Sequence, residues 1–133
     1  MKYLIDSDVV VDYLDARQPA TDILALLLPD GIAISLITYG EIYEGILFSN
    51  RSVYAEVAFL EFLRWARVLP LDEAIMRRFA GIRGSLRRKG MGINDPDILI
   101  AATALLNDLT LVTRNLKHFS RVPDLRVFSD WPS

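Results

Sequence analysis

The 133-residue chain contains no cysteine and a single histidine. The first absence removes disulfide scaffolds, zinc–thiolate centres and thiol nucleophiles, and agrees with a reducing compartment. The second removes any metal site built on several imidazoles and leaves His118 as the sole base for a Ser–His–Asp triad. Long apolar runs are missing too. Ile23 to Leu28 falls far short of the roughly 20 residues of a membrane span. The opening Met1-Lys2-Tyr3-Leu4-Ile5 meets Asp6 after three apolar residues, too few for the core of a signal peptide. These absences predict a cytoplasmic protein with no membrane partner. Hydrophobic residues make up 52% and charged residues 24%, which excludes wholesale disorder. The length suits one domain, 1–133, with a core of its own.

A strong net charge is absent as well, at −2, but the charge is unevenly spread. Residues 1–61 carry 3 Lys/Arg against 10 Asp/Glu, and residues 62–133 carry 12 against 7. Such a chain can set a cation site beside a phosphate-binding patch, or merely present two helix faces of opposite sign. Eight basic residues fall between Arg64 and Lys89. Among them Arg83, Arg87 and Arg88 form either a track for phosphates or a helix end whose cations offset the dipole.

Short apolar runs alternate with helical periodicity. Tyr3-Leu4-Ile5, Ile32-Ala33-Ile34, Val68-Leu69-Pro70-Leu71, Leu109 to Thr113 and Arg126-Val127-Phe128 read as five strands. Helices are predicted over 8–15, from Pro19 to Leu28, from Ser35 or Thr38 to about Phe48, and over 53–66. Two more run from Asp72 to Gly90 and from the Asp95 N-cap, followed by Pro96, to about Asn107. This alternation predicts a parallel α/β sheet with helices on both faces.

In such a sheet the helix N-termini share an edge with the strand C-termini, and ligands bind there. Asp6 follows strand one directly. Glu41 lies early in the helix after strand two, Asp97 opens the helix before strand four, and Asn115 stands just past that strand. All four map to one edge. Carboxylates gathered there repel one another until protons or cations offset the charge. Oxygen ligands without His or Cys suit Mg²⁺ or Mn²⁺. Asp8 reads as a helix cap, Asp12 and Asp15 as solvated, and His118 as packing beside Phe119. Trp65 and Trp131 read as core and tail packing. Tyr54, Phe59 and Phe62 stand out as aromatics for an interface.

Four segments then carry a likeness. They are Leu4 to Leu14 (LIDSDVVVDYL), Thr38 to Ile46 (TYGEIYEGI), Asp97 to Ala104 (DILIAATA) and Leu111 to Phe119 (LVTRNLKHF). Together, in this order, they resemble the PIN-domain ribonucleases, and within them the VapC toxins of toxin–antitoxin pairs. The resemblance implies a three-layer α/β/α fold with a five-stranded parallel sheet in the order 3-2-1-4-5. It also implies cleavage of RNA dependent on Mg²⁺ or Mn²⁺, inhibition by a VapB-type antitoxin, and a homodimer. By position it makes Asp6, Glu41 and Asp97 the catalytic, metal-binding acids. Asn115 takes a fourth position that is often Asp in the wider family, where an uncharged amide holds a water or a neighbouring carboxylate. Ser7 occupies the place of a small hydroxyl that orients the acids, and Asp95 adds a carboxylate two residues before Asp97.

The expected activity is therefore a metal-dependent endoribonuclease in which activated water attacks phosphorus and leaves a 5′ phosphate. Two rivals remain at this level. Asp6-Ser7-Asp8 after an apolar strand also resembles the nucleophile motif of haloacid-dehalogenase-like phosphotransferases, although position 114 offers Arg where that class needs Lys. The other rival is a PIN-like module that binds a partner without catalysis.

Overall fold

The computed structural model describes residues 1–132. Strands β1 (Tyr3–Ile5), β2 (Ile32–Ser35), β3 (Ala66–Leu69) and β4 (Thr110–Val112) form a parallel sheet in the order β3-β2-β1-β4. Tyr3 lies opposite Ile32 on one side and Thr110 on the other, and Ile32 lies opposite Ala66. The α/β class and the expected order hold for these four. The fifth strand does not form among the described residues. Val127 makes one parallel bridge to Leu111, with Leu111 N–H donating to Arg126 O at 2.9 Å and Phe128 N–H to Leu111 O at 2.8 Å. Both of these bonds are made by Leu111, so the 126–128 segment meets β4 at that one residue and no ladder follows.

Around the sheet lie α1 (Ser7–Leu14), α2 (Ala20–Leu27), α3 (Leu36–Leu47), α4 (Ser52–Phe62), α5 (Glu73–Arg88), α6 (Asp95–Leu106) and the single turn α7 (Leu116–Phe119). The period-2 alternation of the strands divides the core in two. Ile5, Ile32, Ile34 and Val112 join residues of α1 to α4, including Val9, Leu24, Ile42 and Phe59. Leu4, Ala33 and Leu111 face the other way onto α5 and α6, against Ile82, Leu86, Ile98 and Ala101. Turning the chain into β2 requires Gly31, at φ +86, whose carbonyl accepts from Lys2 and Tyr3 N–H. A Cβ there would stand 2.8 Å from Met1 Cα.

Several sequence expectations shift. β3 begins at Ala66, two residues before the predicted run, because α4 stops at Phe62 and Pro70, without an N–H, stays outside the ladder. Trp65 falls in the connecting turn and is exposed, not core, whereas Trp131 packs edge-on against Phe128 as expected of the tail. Phe59 and Phe62 are buried in the first core half and leave Tyr54 exposed. Finally, not every helix runs antiparallel to the strands. Two helices separate β3 from β4, so α5 returns alongside α6 in the opposite sense. Arg77 and Arg78, early in α5, share a hollow with Leu105 and Leu106, and Arg83, farther along, reaches Asp95. The basic end of α5 therefore arrives beside the start of α6.

Candidate active site

Asp6 is both the first residue beyond β1 and the N-cap of α1. Its Oδ1 accepts from Ser7 N–H at 2.8 Å, and its own N–H donates to Val112 O across the sheet. Its Oδ2 accepts from the fully buried Thr113 hydroxyl at 2.7 Å. Asp6 is 5% exposed. Burial, then the charge of Asp8 and more weakly that of Asp97, pushes its carboxyl up to about 7, against the pull of its two hydrogen bonds. Asp8 sits one step into α1 and is not the cap the sequence suggested. Its Oδ2 accepts from Arg114 N–H at 3.2 Å, while its Oδ1 is buried without a partner. Burial raises its carboxyl as well.

Ser35 caps α3, accepting from Ile37 N–H at 3.0 Å, which leaves Thr38 free for another task. Ser7 Oγ lies 2.7 Å from Glu41 Oε1 and 3.0 Å from Thr38 Oγ1. A hydroxyl has one proton and a carboxylate only accepts, so Ser7 donates to Glu41 and receives from Thr38. On α6 the N-cap is Asn94, whose Oδ1 accepts from Asp97 N–H at 3.0 Å. Asp95, expected to cap, is instead the first helical residue, and its side chain is drawn outward to Arg83 at 2.7 Å. Asp95 thus stands apart from the other acids and occupies one of the arginines proposed for phosphates. Arg87 and Arg88, in the last turn of α5, are exposed.

Beyond β4, Thr113 Oγ1 also accepts from Asn115 N–H at 3.0 Å. The Asn115 amide lies 2.8 Å from His118 Nδ1 and 3.5 Å from Asp97 Oδ2, and the same Nδ1 is 3.2 Å from Asp97 Oδ2. Contacts thus run from Glu41 through Ser7, Asp6, Thr113 and Asn115 to Asp97, across residues far apart in sequence. Asp8, Thr38, Thr113 and His118 were not singled out for the site. Thr113 was legible from its place at the end of strand four, and His118 from its step of three after Asn115 on a helical turn.

The donors are all hard oxygens, burial and then neighbouring acids raise Asp6, and one buried carboxylate oxygen of Asp8 lacks a partner; this set fits a hard divalent cation. Among the described residues no three Asp, Glu or His side chains yet stand close enough to enclose an ion. Beside Glu41 opens an apolar groove of about 630 Å³, lined by Val11, Leu14, Ile42, Ile46 and Tyr54. No helix of the described residues is long and apolar enough to cross a membrane.

The PIN domain family matches residues 3–125. Ribonuclease VapC19 of Mycobacterium tuberculosis is 36% identical over 125 residues, covering 92% of this chain and 96% of the relative. Ribonuclease VapC1 of Methanocaldococcus jannaschii is 32% identical over 123 residues, covering 92% and 82%. Among solved structures, VapBC2 from Rickettsia felis bound to a DNA fragment from its promoter superposes with a TM-score of 0.89 at 28% identity, covering 96% of this chain and 98% of the other.

Proposed function

The chain belongs to the PIN-domain family, and from that membership we propose that it is a metal-dependent endoribonuclease of the VapC type, held in check by a VapB-type antitoxin. One observation carries the catalytic part: the buried, network-held Asp6, whose carboxyl is pushed up to about 7 by burial and then by the acids that share its edge. Asp6, Asp97 and Glu41 would hold Mg²⁺ or Mn²⁺. When bound, the cation supplies Lewis acidity toward phosphoryl oxygen and water. The protein's part is positional. Thr113 and Ser7 N–H fix both oxygens of Asp6, and Ser7 Oγ steers Glu41. Water attacks phosphorus in line and gives its proton to a site carboxylate. The bond to the 3′ oxygen breaks, and that oxygen takes up a proton, leaving a 5′ phosphate and a 3′ hydroxyl. Arg87 and Arg88, delivered to the start of α6 by the α5–α6 pairing, track RNA phosphates.

Solved structures of the toxin paired with its antitoxin are described for relatives from Rickettsia felis, Salmonella typhimurium and Haemophilus influenzae, which supports the antitoxin reading. The apolar groove beside Glu41, together with exposed Phe48, Val53, Tyr54 and Val57, gives such a partner something to cover. We further place the protein in the cytoplasm, as a single domain over 1–133 and as a homodimer. The family match leaves the phosphotransferase reading without support.

The test is cleavage of RNA by purified protein with Mn²⁺, with EDTA, and after Asp6→Asn or Asp97→Asn. Cleavage that needs the ion and both acids, and that leaves 5′ phosphates, is expected. Folded variants cutting at the wild-type rate would refute the assignment.

A further inference from the structure

The nuclease reading leaves α7 without a role. This helix is one turn long and is pinned by Phe119, which is fully buried. Its other inward residue is His118, the chain's single histidine. His118 is half-buried, and its ring is directed at an acid on a different helix. The Asp97 side chain is 16% exposed, and its Oδ2 lies 3.2 Å from His118 Nδ1. Asp97 Oδ1 makes no hydrogen bond among the described residues.

We propose that His118 is a positioning residue for Asp97: its ring ties down one carboxylate oxygen so that the other is presented to a divalent cation. The inference rests on the metal-dependent nuclease reading and extends it by one residue. A carboxylate oxygen only accepts, so a contact of 3.2 Å to Nδ1 is attractive only with the proton on that nitrogen. This assigns the proton to Nδ1. The Asn115 amide, 2.8 Å from the same nitrogen, then turns its oxygen to the ring. The ring proton thus serves Asp97 and Asn115 together, and Asn115 is joined through Thr113 to Asp6. With the amide oxygen turned to the ring, no amide N–H faces Asp97 Oδ2, so without the ring Asp97 keeps only its helix, capped by Asn94, to set its rotamer. Burial of Phe119 gives the ring its leverage, since α7 cannot drift without opening the core.

Partners that orient a ligand in this way are worth about 10- to 100-fold in metal affinity or activity. The variants His118→Ala and His118→Phe remove the donor, the second while preserving ring volume. His118→Asn keeps a donor at the position of Nδ1. Calorimetric titration with Mn²⁺ alone gives a readout independent of turnover. His118→Phe is expected to weaken Mn²⁺ binding and lower kcat within that range, with KM for RNA nearly unchanged, and His118→Asn to recover most of both. The ring ¹⁵N spectrum of the metal-free protein, with one histidine to observe, is expected to show the proton on Nδ1, and Asp97→Asn to release that preference. Wild-type affinity and kcat in His118→Phe, or no recovery in His118→Asn beyond His118→Phe, would overturn the inference while the nuclease reading stands. Wild-type protein that neither binds Mn²⁺ nor cuts RNA would overturn the reading beneath it.

Discussion

Replacing Asp6 with Asn should make this protein more stable, and the gain should depend on pH. Asp6 titrates at about 7 in the folded chain and near 3.8 when unfolded. Between those values the folded state holds a proton that the unfolded state has lost. Stability therefore falls as pH rises through this window and is flat above it. At about 1.36 kcal/mol per pH unit, this one carboxyl lowers stability by about 4 kcal/mol at pH 8 relative to pH 3. Asn cannot ionise, and it caps a helix as well as Asp, so the bond from Ser7 N–H survives. The bond from Thr113 loses its charged acceptor, at a cost of about 1 kcal/mol. Urea unfolding in EDTA should find Asp6→Asn more stable than wild type by about 2–3 kcal/mol at pH 8, and nearly equal at pH 4. Adding Mn²⁺ at pH 8 should narrow the gap, because the ion stabilises only the chain that binds it. A variant no more stable than wild type at pH 8, or a gap that ignores pH, would refute the reasoning.

Three other outcomes follow from single contacts. Thr113→Val removes the donor to Asp6 Oδ2 and the acceptor for Asn115 N–H, and should cost about 1–3 kcal/mol at pH 8 by urea unfolding, but less at pH 4. Gly31→Ala combines a positive φ with a 2.8 Å approach to Met1 Cα, and should lower stability by about 1–3 kcal/mol in thermal unfolding; a change within about 0.5 kcal/mol would mean that the turn relaxes. Arg87→Ala and Arg88→Ala should each weaken RNA binding and reduce the salt slope by about 0.7, measured by fluorescence anisotropy across salt. Arg83→Ala should do so less, because Asp95 already holds that guanidinium.

Much of the fold was legible because the apolar runs are short and sharply bounded. Leu4 and Ile5, or Ala33 and Ile34, point to opposite faces and can only belong to a sheet covered on both sides. What escaped was decided by distant partners. Asn94, Asp95 and Asp97 all suit the start of a helix, and the choice among them was made by Arg83, 12 residues upstream of Asp95. Asp8 read as a cap because nothing local says that the N–H of Arg114, 106 residues away, would be brought to it. The edge was nevertheless readable for Asp6, Glu41, Asp97 and Asn115, since position at a strand end or in a first helical turn is a property of the local pattern. The positions of Thr113 and His118 could be read in the same way, but the contacts by which Thr113, Thr38 and His118 organise the acids needed the assembled fold.

The order of synthesis gives the sheet a temporal meaning. β1 is made first, yet the neighbour that supplies Thr113, Asn115 and His118 is the last strand translated, and its pairing partner has already been waiting for a hundred residues. A chain still being made on the ribosome would therefore hold Asp6 at an edge that lacks this wall until β4 and the residues just after it have emerged.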